Sequence, residues 1–186
     1  MSVVHGEFTS FVDEIEAIRR NARSEADLVS AVATRLARLN SRERWLPADF
    51  RKPCADKYMQ HVMYVAPDSG FSICSLVWCE GQATPIHDHS AWCVVGVYEG
   101  AERETRYRLD GSGEAERLIS IGTLDMRGGE TAGFAADGTD IHRVANPTNG
   151  LSISIHVYGA DIRALGTSIK RRFDHLPIVD GPGITA

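Results

Sequence analysis

Apolar positions fall into two different rhythms along the chain. Phe8, Phe11, Val12, Ile15 and Ile18 recur at the spacing of one helical face, so the first twenty residues predict an amphipathic helix. Ser24 followed by Asp27 has the form of a second helix start, with a hydroxyl cap and an acid in the first turn. Leu28, Val32, Leu36 and Leu39 then form a second stripe. Neither stripe can be buried alone. The two helices are therefore expected to form a hairpin packed on another layer, within residues 1–45.

From about residue 58 the rhythm shortens to two. Residues 58–65, 71–80, 92–99, 102–109, 117–125 and 151–158 are rich in Val, Ile, Tyr, Thr and Trp. Turn signals separate them, among them Pro67-Asp68-Ser69-Gly70, Asp110-Gly111-Ser112-Gly113 and Arg127-Gly128-Gly129. Many short strands at close spacing predict an all-β sandwich or barrel. Lys170-Arg171-Arg172 reads as a solvated helix end. Residues 177–186, with two Gly and two Pro, read as a tail.

The 186 residues suit a single domain, 1–186. A net charge of −5 is a poor match for nucleic acid or an anionic membrane. No apolar run approaches a membrane span, and the N-terminus lacks the pattern of a signal peptide. Cytoplasmic location follows as an expectation, with Cys54, Cys74, Cys79 and Cys93 as reduced thiols. The expected assembly is a monomer or a small homo-oligomer.

The histidines carry the chemistry. In a strand, His87 and His89 of His87-Asp88-His89 project to the same face, as a chelating pair requires. Asp88 points the other way. Such a pair also arises by chance, so its surroundings decide. Leu151-Ser152-Ile153-Ser154-Ile155-His156-Val157-Tyr158 alternates strictly, and its polar face of Ser, His and Tyr suits a pocket lining better than open solvent. Trp78 and Trp92 read as core or pocket wall.

Gly81-x5-His87-x-His89-x3-Cys93-x6-Gly100, followed by Gly138-x3-His142-x3-Asn146, resembles the two motifs of the cupin superfamily. That resemblance implies a double-stranded β-helix barrel with a metal in its mouth. Cys93 stands where many cupins carry a fourth, carboxylate ligand, so the implied site is His87, His89 and His142. Three protein ligands leave positions open for substrate.

Thr84-Pro85-Ile86-His87-Asp88-His89, Ile141-His142-Arg143-Val144 and Ser154-Ile155-His156-Val157-Tyr158 together resemble the thiol dioxygenases of the cysteine dioxygenase type. The resemblance implies Fe(II) on the three histidines and a hydrogen-bonded relay of Ser154, His156 and Tyr158. It also implies addition of both atoms of O2 to a small thiol carboxylate, giving a sulfinic acid. A neutral ligand set leaves the metal's full charge available to depress a bound thiol's pKa.

Tyr58-Met59-Gln60 matches the place where cysteine dioxygenases carry Tyr-x-Arg, whose arginine clamps the substrate carboxylate. Gln60 offers only a neutral hydrogen bond. The resemblance then points to the subgroup preferring 3-mercaptopropionate, with cysteine and mercaptosuccinate as alternatives. The cation for the carboxylate is expected at Arg163, Arg143 or the Lys170–Arg172 cluster. A cysteine near position 93 crosslinks to the active-site tyrosine in animal cysteine dioxygenases. Cys93 lies one residue closer to the histidine pair, which leaves a Cys93–Tyr158 thioether open; otherwise it is a small residue of the pocket floor.

Two other classes compete. Another cupin enzyme, such as an isomerase or hydrolase, shares the barrel but does not call for the Ser-x-His-x-Tyr set. A small-molecule sensor would carry a nucleic-acid-binding module, and no basic helix-turn-helix stretch is visible.

Overall fold

The computed structural model describes residues 3–42 and 44–181. Helices α1 (Val3–Asn21) and α2 (Glu25–Asn40) pack as the expected hairpin. Ser24 caps α2, its hydroxyl accepting the Asp27 amide at 3.1 Å. Phe11, Val12, Ile15, Val32, Leu36 and Leu39 are all buried, so the two stripes are the faces that the hairpin hides. They meet one face of a sheet at Ile153, Ile155, Val157 and Val94. Gly96 permits the approach: a β-carbon there would come within 2.8 Å of the Leu36 side chain.

The remaining elements are β1 (Met59–Val65), β2 (Ser72–Trp78), β3 (His87–His89), β4 (Cys93–Glu99), β5 (Ala101–Asp110), β6 (Arg117–Arg127), β7 (Thr131–Phe134), β8 (His142–Ala145), β9 (Ser152–Tyr158), the short helix α3 (Ile162–Leu165), β10 (Ile169–Arg172) and β11 (Ile178–Asp180). They form a five-stranded sheet in the order β1-β2-β9-β4-β7 and a six-stranded sheet in the order β10-β3-β8-β5-β6-β11. This is the double-stranded cupin barrel with a helical hairpin against its outer face. β9 is central and buried on both faces. One face packs on the helices, and the other looks into the barrel.

Three expectations are corrected. Lys170-Arg171-Arg172 is not a helix end: it belongs to strand β10, which pairs with β3. The expected tail begins with an ordered element: Ile178–Asp180 runs parallel to β6 as β11, while residues 182–186 lie outside the described residues. Both segments are three or four residues long, too short to display a period of two. Only their pairing partners define them. The expected strand 71–80 also stops earlier, because Cys79 turns out of the sheet and its amide donates to the Gln82 side chain at 2.9 Å. No helix of the described residues is long and apolar enough to cross a membrane.

Candidate active site

The six-stranded sheet supplies three imidazoles. His87 and His89 project from β3, and His142 stands directly opposite His87 on β8. All three are buried. One ligand nitrogen from each can be chosen so that the three lie within 4.8 Å of one another. The His87 and His89 Nε2 atoms are 3.2 Å apart.

The other ring nitrogens are already engaged. His87 Nδ1 meets the Pro85 carbonyl at 2.9 Å, His89 Nδ1 meets Asp140 Oδ2 at 2.9 Å, and His142 Nδ1 meets Glu104 Oε1 at 2.8 Å. A carbonyl or an ionised carboxylate can only accept, so each Nδ1 carries the proton. Each Nε2 therefore offers a lone pair to the same point. His142 Nε2 is buried without a hydrogen-bond partner. Three converging lone pairs without a proton among them repel one another, and a metal ion is the group that satisfies them together.

Electrostatics agree. Burial, then the neighbouring His142 and His89, hold the His87 pKa down at about 2, so its ring is neutral. Burial likewise lowers that of His89, against the pull of Asp140. Burial pushes the Glu104 carboxyl up, but hydrogen bonds from His142 and Arg106 outweigh it and hold the pKa at about 2. Glu104 is therefore the charged acceptor that fixes the His142 ring.

The back of the ligand strand is anchored separately. Asp88 is fully buried on the outer face of β3 and accepts from the Arg171 amide at 2.8 Å and Arg171 Nε at 2.7 Å. Arg171 is thus committed to Asp88. The expectation that Asp88 faces away from the ligand pair holds, and its partner is the β10 cation run.

The facing sheet supplies the polar line from β9. His156 Nε2 lies 2.9 Å from Ser154 Oγ, and His156 Nδ1 lies 3.0 Å from the Tyr158 hydroxyl. Trp78 Nε1 donates to Ser154 Oγ at 3.2 Å, so a pocket-wall tryptophan also orders the serine. Burial pushes the Tyr158 pKa well above its ordinary value and keeps the phenol protonated. The Tyr158 ring reaches to 6.2 Å from the His89 ring, which brings the two sheets' chemistry together.

One cavity joins them. Tyr58, Gln60, Trp78, His156, Tyr158 and the three histidines are among the residues that line about 20 Å³ of enclosed space. Tyr58 stacks on Trp78 at 4.5 Å between ring centroids. Gln60 Nε2 reaches Cys74 Sγ at 3.6 Å.

Cys93 is fully buried and sits directly opposite Tyr158 in the β4–β9 ladder, its sulfur 3.9 Å from His156 Nδ1. Burial raises its pKa well above the ordinary thiol value. It lies beside the relay but is not among the residues that line the cavity, contrary to the expected place on the pocket floor.

Arg163 does not join the site. It lies on α3 with its side chain 70% exposed, 3.9 Å from Asp161. Its closeness to Tyr158 in sequence is undone because the chain turns outward at Asp161, which caps α3. Arg143 neighbours His142 along β8 and so points to the opposite face. Of the expected cations, Arg172 alone is the strand partner of a ligand, His87, and so shares its face. Its charge is felt at the Tyr58 hydroxyl, and no ion pair to it occurs among the described residues.

Sequence reasoning passed over Glu104 and Asp140. Glu104 alternates with Arg103 and Thr105 as a solvated strand would. The apolar residues of β5 gave no signal for it, because Ala101 and Tyr107 each stand three positions from Glu104, out of step with a period of two.

Several known proteins resemble this one. The chain is similar to the TT1209 structure from Thermus thermophilus, with 18% identity, 60% of this chain and 91% of that chain covered, and a TM-score of 0.44. It resembles a cupin superfamily protein from Desulfitobacterium hafniense at 12% identity, covering 64% of this chain and 94% of that chain, with a TM-score of 0.45. It also resembles an oxalate oxidase solved with the substrate analogue glycolate, at 17% identity, 65% and 62% coverage and a TM-score of 0.45. The family model for cysteine dioxygenase type I matches residues 2–168. A match over that much of the chain shows that it belongs to the cysteine dioxygenase type I family of non-haem metal thiol dioxygenases.

Proposed function

We propose that this protein is an Fe(II) thiol dioxygenase that converts a small mercapto acid to its sulfinic acid, with 3-mercaptopropionate preferred over cysteine. The observation that carries this reading is the facing of the two sheets across one narrow cavity: a neutral three-histidine set on one side, a serine–histidine–tyrosine line on the other. Imidazole sets suit several metals, and the family points to iron. His87, His89 and His142 hold the ion, which supplies the charge that ionises a thiol and the redox chemistry that activates O2.

The chain's own residues do the rest. Tyr158, oriented by His156, is the hydrogen-bond donor that positions the substrate, and Ser154 with Trp78 fixes the ring. The enclosed space takes one or two water-sized groups, so the carboxylate end of a mercapto acid extends toward the mouth. There Gln60 gives a neutral contact, and Arg172 receives the charge. A substrate without an α-amine leaves no cation of its own to accommodate beside Arg172.

The test is O2 uptake by the Fe(II)-loaded protein with 3-mercaptopropionate, cysteine and mercaptosuccinate. The expected order of kcat/KM puts 3-mercaptopropionate first; a cysteine preference contradicts the substrate assignment. Arg172→Gln is expected to raise KM for 3-mercaptopropionate about 10- to 100-fold, the worth of a charged hydrogen bond, with kcat largely kept. A KM within about twofold of wild type removes Arg172 from the substrate site.

A further inference from the structure

Glu102 and Glu104 stand two residues apart on β5 and both point inward. Glu104 is spoken for by His142. Glu102 is 2% exposed, and its Oε2 is buried without a hydrogen-bond partner. A carboxylate left in that state is costly, so its position needs a reason. The ring it approaches is that of His156: Glu102 Oε2 lies 3.7 Å from His156 Nε2. That is too long for a hydrogen bond and close enough for charge to decide where a proton resides. Gly100 sets the approach. It turns the chain from β4 into β5 at φ +75, and a β-carbon there would come within 2.5 Å of Ser152 Oγ.

The groups facing the His156 ring are few. Ser154 meets Nε2 from the same strand, Tyr158 and the Cys93 thiol meet Nδ1, and Cys74 is the strand partner on β2. Glu102 adds a carboxyl group to this set. Ser154 can accept from both Trp78 and His156, since a hydroxyl has two lone pairs.

We propose that Glu102 is a positioning residue that keeps the proton on His156 Nε2 and so turns the Nδ1 lone pair to the Tyr158 hydroxyl. The arrangement is a carboxylate, an imidazole and a hydroxyl in line, the logic by which a buried acid fixes a catalytic histidine's tautomer. Its consequence for turnover rests on the thiol-oxidising reading above. A substrate thiol gives up its proton to the cavity side of the Tyr158 oxygen, while the proton Tyr158 held passes to Nδ1. A thiolate, a neutral phenol whose O–H now faces the cavity, and an imidazolium beside the Glu102 carboxylate remain, with atoms and charge balanced. Tyr158 is then the donor that the substrate meets.

The test has a readout independent of turnover. In the full chain loaded with Zn(II) and labelled with 15N-histidine, the His156 ring is identified by its loss in His156→Gln. The ring is expected to be protonated at Nε2. Glu102→Gln, whose amide can donate to Nε2, is expected to move the proton to Nδ1, and Glu102→Asp is expected to leave it on Nε2. In the Fe(II) enzyme Glu102→Gln is expected to lose about tenfold or more in kcat, with iron content and KM held, and Glu102→Asp to recover much of that loss. A wild-type ring protonated at Nδ1, or a tautomer indifferent to Glu102→Gln, overturns the proposal. The wild-type spectrum alone decides if the variants do not fold. A Glu102-dependent tautomer in a protein that oxidises no thiol upholds this inference and overturns the proposed function instead.

Discussion

His87→Ala protein is expected to retain less than about a tenth of the iron that the wild type holds, and to show no thiol-dependent oxygen uptake. His87 is central to the ligand set: its Nε2 lies 3.2 Å from that of His89, and it stands opposite His142 in the strand ladder. Its removal leaves two donors and an opened corner. The neighbouring restraints, Asp140 on His89 and Glu104 on His142, are untouched, so the loss measures the ligand and not its supports. Metal analysis after gel filtration, with circular dichroism to check the fold, reads the result. Iron retained at the wild-type ratio contradicts the three-histidine site.

Tyr158→Phe is expected to behave in the opposite way, keeping iron and losing rate. The exchange removes one hydroxyl from a side chain that is 2% exposed and leaves the ring packing intact. What disappears is the 3.0 Å contact with His156 Nδ1 and the donor facing the cavity. A positioned proton donor contributes about 10²- to 10⁴-fold, and the lower end is expected because the variant keeps every metal ligand. Steady-state kinetics on iron-replete protein checks this, and the split matters: the loss belongs in kcat, with KM little changed. An unchanged kcat removes Tyr158 from the chemistry.

These two outcomes concern residues that were legible in the sequence, and the reason is geometric. Strand β9 alternates apolar and polar side chains over its whole length because one face packs on the helices and the other turns into the barrel, where His156 and Tyr158 line the cavity. His87 and His89 share a face by the same period of two. The helical hairpin showed itself because each helix buries one stripe only. His142 came from resemblance, since β8 has four residues and too little pattern of its own.

Charge was the harder signal. Lys170-Arg171-Arg172 resembles any solvated cation run, yet Arg171 is bound to buried Asp88 and Arg172 faces the ligand strand. Arg163 looked suited to the substrate by sequence distance from Tyr158, and the outward turn at Asp161 defeats that. Glu102, Glu104 and Asp140 alternate with exposed or unremarkable neighbours, so nothing local marks them as buried. They become visible only when β5 and the segment before β8 are closed against the imidazoles. Residues that act by contact across the barrel are set by closure, and a local pattern does not report closure.

The central claim is that this site adds both atoms of O2 to the sulfur of a small mercapto acid. The most direct test is turnover of 3-mercaptopropionate by the Fe(II)-loaded protein under 18O2, with the product analysed by mass spectrometry. The account predicts a sulfinic acid in which both new oxygens carry the label, formed with one O2 consumed per thiol. Product oxygen drawn from water, or thiol consumed only to disulfide, contradicts it.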